Sequence, residues 1–281
     1  MHCNICDLPP SFVDLCGLWE CTISKCQLAS LPKDLHRLQG LRLFELGANK
    51  LHHLPDSIGE LQNLEILDLD SNQIAELPAA AAPQLRVLGV SQNLLRSFDP
   101  AALTGLEEVR LAGNRLSKLP PGFCELSCLK DLQCHANPLR PLPEDFGQLR
   151  SLQRLQAVGC LLETLPSSFG HLVHLEFCDV ARNRLRNFPE DLGRLSSLKE
   201  LMANGNRLQY LPDSFGDLTS LCTCLLNANE LIELPESFGQ LESLEELSVA
   251  ENRLETLPAS FEKLCSLRKV QLSRNRLTYI P

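Results

Sequence analysis

The chain has 281 residues, and 44% of them are hydrophobic, which is enough for a sizeable core. Its formal net charge of -9 argues against nucleic acid and anionic membrane as partners, because both require a basic surface, and it favours a protein partner. The sequence has no run of about 18 apolar residues and no signal-peptide pattern. We therefore expect a cytoplasmic protein that is not inserted in a membrane.

One pattern repeats from the N-terminus onward. The stretch 1–17 matches the second half of a repeat, with Cys3 at the position that later carries asparagine. From residue 18 the block L-x-x-L-x-L-x-x-N-x-L occurs twelve times, at intervals of 23 residues except for two of 21. The last repeat is incomplete at residue 281. The period predicts a single repeat domain over 1–281. Since neither terminal repeat has a polar cap, we expect a segment of a longer protein or ends that a partner covers.

Each block predicts a short strand followed by a tight turn. Apolar and variable residues alternate, for example at Leu64, Leu67 and Leu69, as in a strand with one face inward. The connecting stretch L-P-x-x-F-G-x-L, as in 211–218, is too short for a long helix and predicts a brief 3-10 or α turn. One repeat cannot bury its own leucines, so stability requires stacking. The predicted fold is an α/β solenoid, a curved right-handed superhelix with a parallel sheet on its concave face and short turns on its convex face.

Two positions of the repeat predict structural roles. The asparagine side chain can hydrogen-bond the bent backbone that leaves the strand, which would form a ladder of satisfied buried peptide groups. An apolar residue in each turn predicts a second row inside the stack, with one gap where the turns are shortened. The predicted ladder consists of Asn49, Asn72, Asn93, Asn114, Asn137, Asn183, Asn206, Asn229, Asn252 and Asn275. The predicted row consists of Phe12, Leu35, Ile58, Leu103, Phe123, Phe146, Phe169, Leu192, Phe215, Phe238 and Phe261.

The variable residues beside the inward leucines should face the concave surface. Phe177, Met202 and Leu225 lie on three neighbouring predicted strands, and we interpret them as exposed apolar anchors for one protein partner. The alternative is that neighbouring side chains partly cover them. Their predicted polar neighbours are Gln133, Gln156 and Asp179.

An acidic patch is predicted nearer the N-terminus. Glu45, Asp68 and Asp70 face the same surface and could receive a basic peptide. A charged surface can also serve solubility alone. The sequence leaves both interpretations open.

Catalytic and metal chemistry have little support in the sequence. Cys3-x-x-Cys6, followed by Cys16 and Cys21, has the spacing of a zinc site, but Cys3 and Cys21 occupy inward repeat positions and cannot converge on one ion. Cys134 and His135 are adjacent strand residues that face opposite ways. No phosphate-binding glycine loop occurs. We predict no metal, no cofactor, no catalytic residue and no enzyme activity.

The full pattern L-P-x-x-F-G-x-L-x-x-L-x-x-L-x-L-x-x-N-x-L is clearest in 211–231 and 234–254. It resembles the intracellular Ras-group leucine-rich repeats of the Ras suppressor, Scribble, Erbin and adenylate cyclase type. The resemblance implies a scaffold or adaptor in intracellular signalling that binds a protein such as a small GTPase or a phosphatase complex, although fold alone does not transfer a partner. Two alternatives stay open: the recognition segment of a larger kinase, GTPase, cyclase or ubiquitin ligase, and a structural spacer or gene fragment without a partner.

Overall fold

The computed structural model describes residues 4–78 and 82–280, so that Cys3, the alanines at 79–81 and Pro281 lie outside the described residues. The chain divides into two compact units, which are Met1–Asn137 and Pro138–Pro281. We call them unit 1 and unit 2.

Unit 1 contains six three-residue strands among its described residues. They pair in parallel in chain order, and residues at the same repeat position lie side by side. The middle residue of each strand is buried, while the first and third residues face outward and form what we call the sheet face. The strands are β1 (Glu20–Thr22), β2 (Leu43–Glu45), β3 (Ile66–Asp68), β4 (Val87–Gly89), β5 (Glu108–Arg110) and β6 (Asp131–Gln133).

Unit 2 repeats this arrangement. Its strands also pair in parallel and in register, and the middle residues of β7 to β11 are buried. All three residues of the last strand are exposed. The strands are β7 (Arg154–Gln156), β8 (Phe177–Asp179), β9 (Glu200–Met202), β10 (Thr223–Leu225), β11 (Glu246–Ser248) and β12 (Lys269–Gln271).

The helical turns are short 3-10 helices, and no α-helix occurs in residues 4–78 and 82–280. A proline commonly precedes them. Pro212, for example, holds extended backbone angles and its carbonyl accepts a hydrogen bond from the Phe215 N–H at 2.9 Å. The 3-10 helices of unit 1 are Pro10–Asp14, Leu35–Arg37, Asp56–Glu60 and Phe123–Glu125. Those of unit 2 are Phe146–Gln148, Ser167–His171, Glu190–Arg194, Asp213–Asp217, Glu236–Gln240 and Ala259–Lys263.

The predicted parallel architecture with short turns is confirmed within each unit. None of the helices in the described part of the chain has the length and hydrophobicity needed to span a bilayer.

Asparagine side chains tie each repeat to the one before it. The Asn206 Nδ2 donates to the carbonyls of Val180 and Ala203, both at 3.0 Å, and its Oδ1 accepts from the Leu185 N–H at 3.0 Å. All ten asparagines of the predicted ladder make these three bonds. They satisfy backbone groups that the narrow turn leaves without a strand partner.

Phenylalanine rings line the turn side of unit 2. The rings of Phe215 and Phe238 are stacked with centroids 5.7 Å apart. Four of the five row phenylalanines of unit 2 are followed by glycine, and sterics explain why. A Cβ on Gly216 would lie only 2.2 Å from the Ser237 carbonyl oxygen. Gly170 has the same environment, with the Asp191 carbonyl oxygen at 2.3 Å. The F-G pair of the sequence is therefore a packing requirement between repeats.

The apolar row is interrupted for longer in unit 1 than the sequence suggested. The Leu106 N–H donates to the Leu103 carbonyl at 3.1 Å, as the Leu64 N–H donates to the Leu61 carbonyl at 3.3 Å. Leu103 thus occupies the same repeat position as Leu61, which comes three residues after the row residue Ile58. The assignment of Leu103 to the apolar row was wrong. Ala82 has the same place one repeat earlier, where its carbonyl accepts from the Leu85 N–H at 3.2 Å. The repeat between Asn93 and Asn114, which is two residues shorter than the regular repeat, therefore lacks the row residue.

A cavity of about 40 Å³ marks this interruption. Its lining is apolar except for Asp99 and includes Ile58, Leu67, Ala82 and Leu88. In the regular repeats, the phenylalanine, leucine or isoleucine of the apolar row fills the corresponding space. The two-residue deletions thus remove core volume without moving the strands out of register.

Candidate functional site

Two of the predicted anchors lie side by side on the sheet face of unit 2. Met202 of β9 and Leu225 of β10 are direct partners in the parallel register, and both are partly exposed. Asp179 is the register partner of Met202 on one side, and Ser248 is the partner of Leu225 on the other. The two apolar side chains therefore form a continuous pair with a polar residue at each end.

Phe177 does not belong to the same column of residues. It is the first residue of β8 and pairs with Glu200, whereas Met202 is the third residue of β9. Its ring lies under the Arg154 guanidinium, with Cζ 4.3 Å from the ring centroid. The sequence prediction treated the three anchors as one group, and the register corrects it: Phe177 is a diagonal neighbour of the Met202–Leu225 pair that forms a cation–π contact of its own.

The predicted polar neighbours fall in different units. Gln156 is the register partner of Asp179 in unit 2. Gln133 is the register partner of Arg110 in unit 1. Gln156 and Asp179 therefore continue the column of the Met202–Leu225 pair, and Gln133 belongs to the surroundings of Arg110.

Arg110 occupies most of the predicted acidic patch. Its guanidinium contacts Asp68 at 2.9 Å, Asp70 at 3.0 Å and Glu108 at 3.0 Å. Gly89 lies between Asp68 and Arg110 in the register and makes this reach possible, because a Cβ there would lie 2.3 Å from the arginine Nη2. Asp68 and Asp70 are already paired with Arg110, which corrects the prediction of an acidic patch open to a basic peptide.

Burial and ion pairing have opposite effects on the pKa of Asp70 in this cluster. Burial raises the pKa of Asp70, and the nearby Arg110 opposes that rise. The Asp70 Oδ1 also accepts a hydrogen bond from the Ser91 N–H at 2.6 Å. Glu45 lies outside the cluster and accepts a hydrogen bond from the Thr22 Oγ1 at 3.1 Å. The sequence does contain a signal for the Arg110 cluster. The third strand position carries Asp68, Gly89 and Arg110 in three successive repeats.

The sequence did not lead us to three apolar residues that lie side by side on the sheet face of unit 1. Leu43, Ile66 and Val87 are the first residues of β2, β3 and β4, and the register places them side by side. All three are partly exposed. The prediction compared only the third strand positions in detail, and comparing the first positions in the same way would have found this row.

The thiols have no sign of reactivity in the interior. Free cysteines of the described residues include Cys6, Cys16, Cys21, Cys128, Cys178, Cys222, Cys224 and Cys265, and burial raises the pKa of Cys21 to about 11. Burial likewise raises the pKa of the Cys178 and Cys224 thiols. Within residues 4–78 and 82–280, no group of three or more His, Cys, Asp or Glu side chains could hold a metal ion. Cys3 of the considered zinc motif lies outside these residues.

Family comparison agrees with the geometry of parallel three-residue strands, asparagine ladder and short turns. Residues 163–278 match the family model of a leucine-rich repeat region, and residues 105–126 match that of a single leucine-rich repeat. The chain has the leucine-rich repeat fold. No curated protein sequence matches it.

Solved leucine-rich repeat structures cover nearly the whole chain. A leucine-rich repeat protein of Leptospira interrogans is 29% identical, with a TM-score of 0.92, and the match covers 98% of this chain and 71% of that chain. The plant peptide hormone receptor RGFR1 in complex with RGF2 is 23% identical, with a TM-score of 0.79 over 96% of this chain and 50% of that chain. A Drosophila Toll–Spatzle complex is 23% identical, with a TM-score of 0.87 over 98% of this chain and 40% of that chain. The two receptor similarities show the fold alone.

Proposed function

We propose that this leucine-rich repeat chain is a scaffold or adaptor that binds a protein partner on the sheet face of unit 2. The observation that carries the proposal is the Met202–Leu225 pair, which places two apolar side chains side by side on an exposed parallel sheet. Neighbouring strands lie about 4.8 Å apart, so these side chains present one continuous apolar surface. Apolar anchors with a polar surround are the usual form of an interface hot spot.

The surroundings of the pair fit such an interface. Asp179 flanks the pair in the register and supplies a partly exposed polar residue at its rim, whereas Ser248 on the other side is buried. The Arg154–Phe177 contact lies on the neighbouring strands, and arginine and aromatic residues are both enriched in interfaces. Arg154, Phe177 and Asp179 therefore extend the surface beyond the two anchors.

The family resemblance supports the partner class, and the cysteines support the compartment. The resemblance to Ras-group repeats supports a partner in intracellular signalling, such as a small GTPase or a phosphatase complex. Two structures that share the fold are receptor complexes, one with RGF2 and one with Spatzle. A cytoplasmic location is supported by free thiols such as those of Cys21, Cys178 and Cys224, since reduced cysteines are typical of that compartment. The acidic net charge gives no support for nucleic-acid binding.

Affinity capture from cell lysate with a matched control tests the proposal. The test variant carries Met202→Asp and Leu225→Asp, and the control carries Val173→Asp and Ile232→Asp, two exposed apolar residues of unit 2 outside its strands. We expect a protein that the native chain and the control retain, and that the test variant loses by at least about tenfold. Circular dichroism and the melting temperature should stay close to those of the native chain. Identical captures by all three proteins would contradict the proposal.

A further inference from the structure

Three apolar side chains cross the sheet face of unit 1 on adjacent strands. The register joins Leu43 to Ile66 and Ile66 to Val87. All three are partly exposed, while the middle residues of the same strands fill the core. We call Leu43, Ile66 and Val87 the unit 1 strip. Its side chains are not needed to close the core and remain available to a partner.

The strip has uncompensated negative charge at one end. Glu20 of β1 is the register partner of Leu43, and Glu45 lies two residues after Leu43 on β2. Glu20 is exposed, and Glu45 accepts only a hydroxyl hydrogen bond from Thr22. In the described part of the chain, neither carboxylate forms an ion pair with Lys or Arg.

The negative charge at the other end of the strip is partly neutralised by Arg110. Glu108 is the register partner of Val87, and its carboxylate is paired with Arg110. Arg110 also holds Asp68, which lies two residues after Ile66 on β3. A complementary partner is therefore apolar along the strip and carries basic residues over β1 and β2, where no Lys or Arg of the described residues pairs with Glu20 or Glu45.

The spacing of the strip matches a helix better than an extended chain. Three adjacent strands place their side chains over about 10 Å, at about 4.8 Å per step. A helix presents residues i, i+3 or i+4, and i+7 on one face over about 10.5 Å. An extended segment presents residues i, i+2 and i+4 over about 13 Å, which fits the strip poorly.

We infer that the unit 1 strip binds an amphipathic helix whose apolar residues at i, i+3 or i+4, and i+7 contact Leu43, Ile66 and Val87, and whose Lys or Arg residues lie over Glu20 and Glu45. The site goes beyond the proposed function, since it lies in the other unit and uses other residues. Helix binding in an apolar groove is a common mode of peptide recognition. The unpaired carboxylates of Glu20 and Glu45 favour basic residues at that end of the helix.

Selection of helical peptides on the full chain tests this site. The probe is a displayed library of tryptophan-free peptides of about four helical turns. Binding of selected peptides is then measured by the emission of Trp19, the single tryptophan of the chain, which is 63% exposed and adjacent to Glu20. We expect the enriched peptides to share the i, i+3 or i+4, i+7 apolar pattern with Lys or Arg at one end, and to change the Trp19 emission.

Substitutions in the strip give the decisive comparison. Ile66→Asp should weaken binding at least about 30-fold, while Ile66→Val should retain it. Replacing Glu20 and Glu45 by Lys should weaken the basic peptides about tenfold and favour versions in which Glu replaces their Lys and Arg. This charge reversal keeps the test valid if Ile66→Asp disturbs the fold.

The two proposals fail separately. Changing Met202 and Leu225 to Asp should leave peptide binding at the unit 1 strip unchanged, and Ile66→Asp should leave lysate capture by unit 2 unchanged. The helix site is overturned if no peptides are enriched, if the enriched peptides lack the helical pattern, or if their binding depends on Met202 and Leu225 but not on Ile66.

Discussion

The turns of the two units pack the apolar row differently: the packing is regular in unit 2 and interrupted in unit 1. In unit 2 every described 3-10 helix supplies an apolar row residue, and a glycine follows it in all of them except the last, where Glu262 follows Phe261. These glycines, from Gly147 to Gly239, let the next repeat approach closely. In unit 1 two successive repeats are shorter by two residues, the second of them lacks the row residue, and a cavity of about 40 Å³ remains. The register of the strands is the same in both regions. The strands and asparagine ladder therefore tolerate irregular turns.

The sheet faces differ as well. Arg110 draws three carboxylates of unit 1 into one cluster and leaves the apolar strip beside it. In unit 2 the Met202–Leu225 pair lies in the third strand position, where unit 1 has Asp68, Gly89 and Arg110. The same repeat position thus carries apolar contact in one unit and ion pairing in the other, which is how one backbone can present two different surfaces.

The largest expected effect tests the tight turns of unit 2. Gly216→Ala should lower the free energy of unfolding by roughly 3 kcal/mol, because the new Cβ would meet the Ser237 carbonyl oxygen, a backbone atom that cannot rotate away. Gly105→Ala in unit 1 is the matched control, since its Cβ would lie 3.5 Å from the Leu85 carbonyl oxygen and should change stability by less than about 0.5 kcal/mol. Urea unfolding measures both. Equal losses would show that the glycine after phenylalanine has no special packing role.

The Arg110 cluster is the next test, and its signature depends on pH. Arg110→Ala should cost about 2 kcal/mol at pH near 7, because it leaves partly buried carboxylates without their cation. The pKa of Asp70 is already raised by burial and should rise further when Arg110, which lowers it, is removed. A raised carboxyl pKa means that the folded state binds a proton before the unfolded state does, so stability falls as pH rises through that window.

The loss caused by Arg110→Ala should therefore shrink as the pH is lowered towards the ordinary carboxyl range. Unfolding curves of the native chain and the variant between neutral and mildly acidic pH measure this difference. Arg253→Ala is the control, because the Arg253–Glu230 pair is more exposed and should contribute less than about 1 kcal/mol. A loss that is the same at every pH would contradict the role assigned to Asp70.

Period and spacing were sufficient to predict the strands, the short turns and the parallel architecture, because each repeat is stabilised mainly by its neighbours. The sequence did not place Leu103 correctly, since a two-residue deletion can be aligned at several points of a turn and only the hydrogen bonds decide. It also could not show that Arg110 reaches across Gly89 to Asp68, because the path of a long side chain depends on its rotamers. Phe177 was grouped with Met202 because both lie on neighbouring strands. The grouping overlooked that Phe177 is the first residue of its strand and Met202 the third, so that the two are not register partners.

The smallest expected effect tests the cavity of unit 1. Ala82→Leu restores at this position the residue type that Leu61 has in the preceding regular repeat, and the added carbons can enter the apolar cavity that Ala82 lines. We expect a gain of about 1 kcal/mol in the free energy of unfolding. Ala203→Leu in unit 2 is the control, because Ala203 is fully buried among regular repeats, and overpacking there should cost about 1 to 3 kcal/mol. If Ala82→Leu destabilised the chain as much as Ala203→Leu, the turn side of unit 1 would be as tightly packed as that of unit 2, and the contrast between the two units would be confined to their sheet faces.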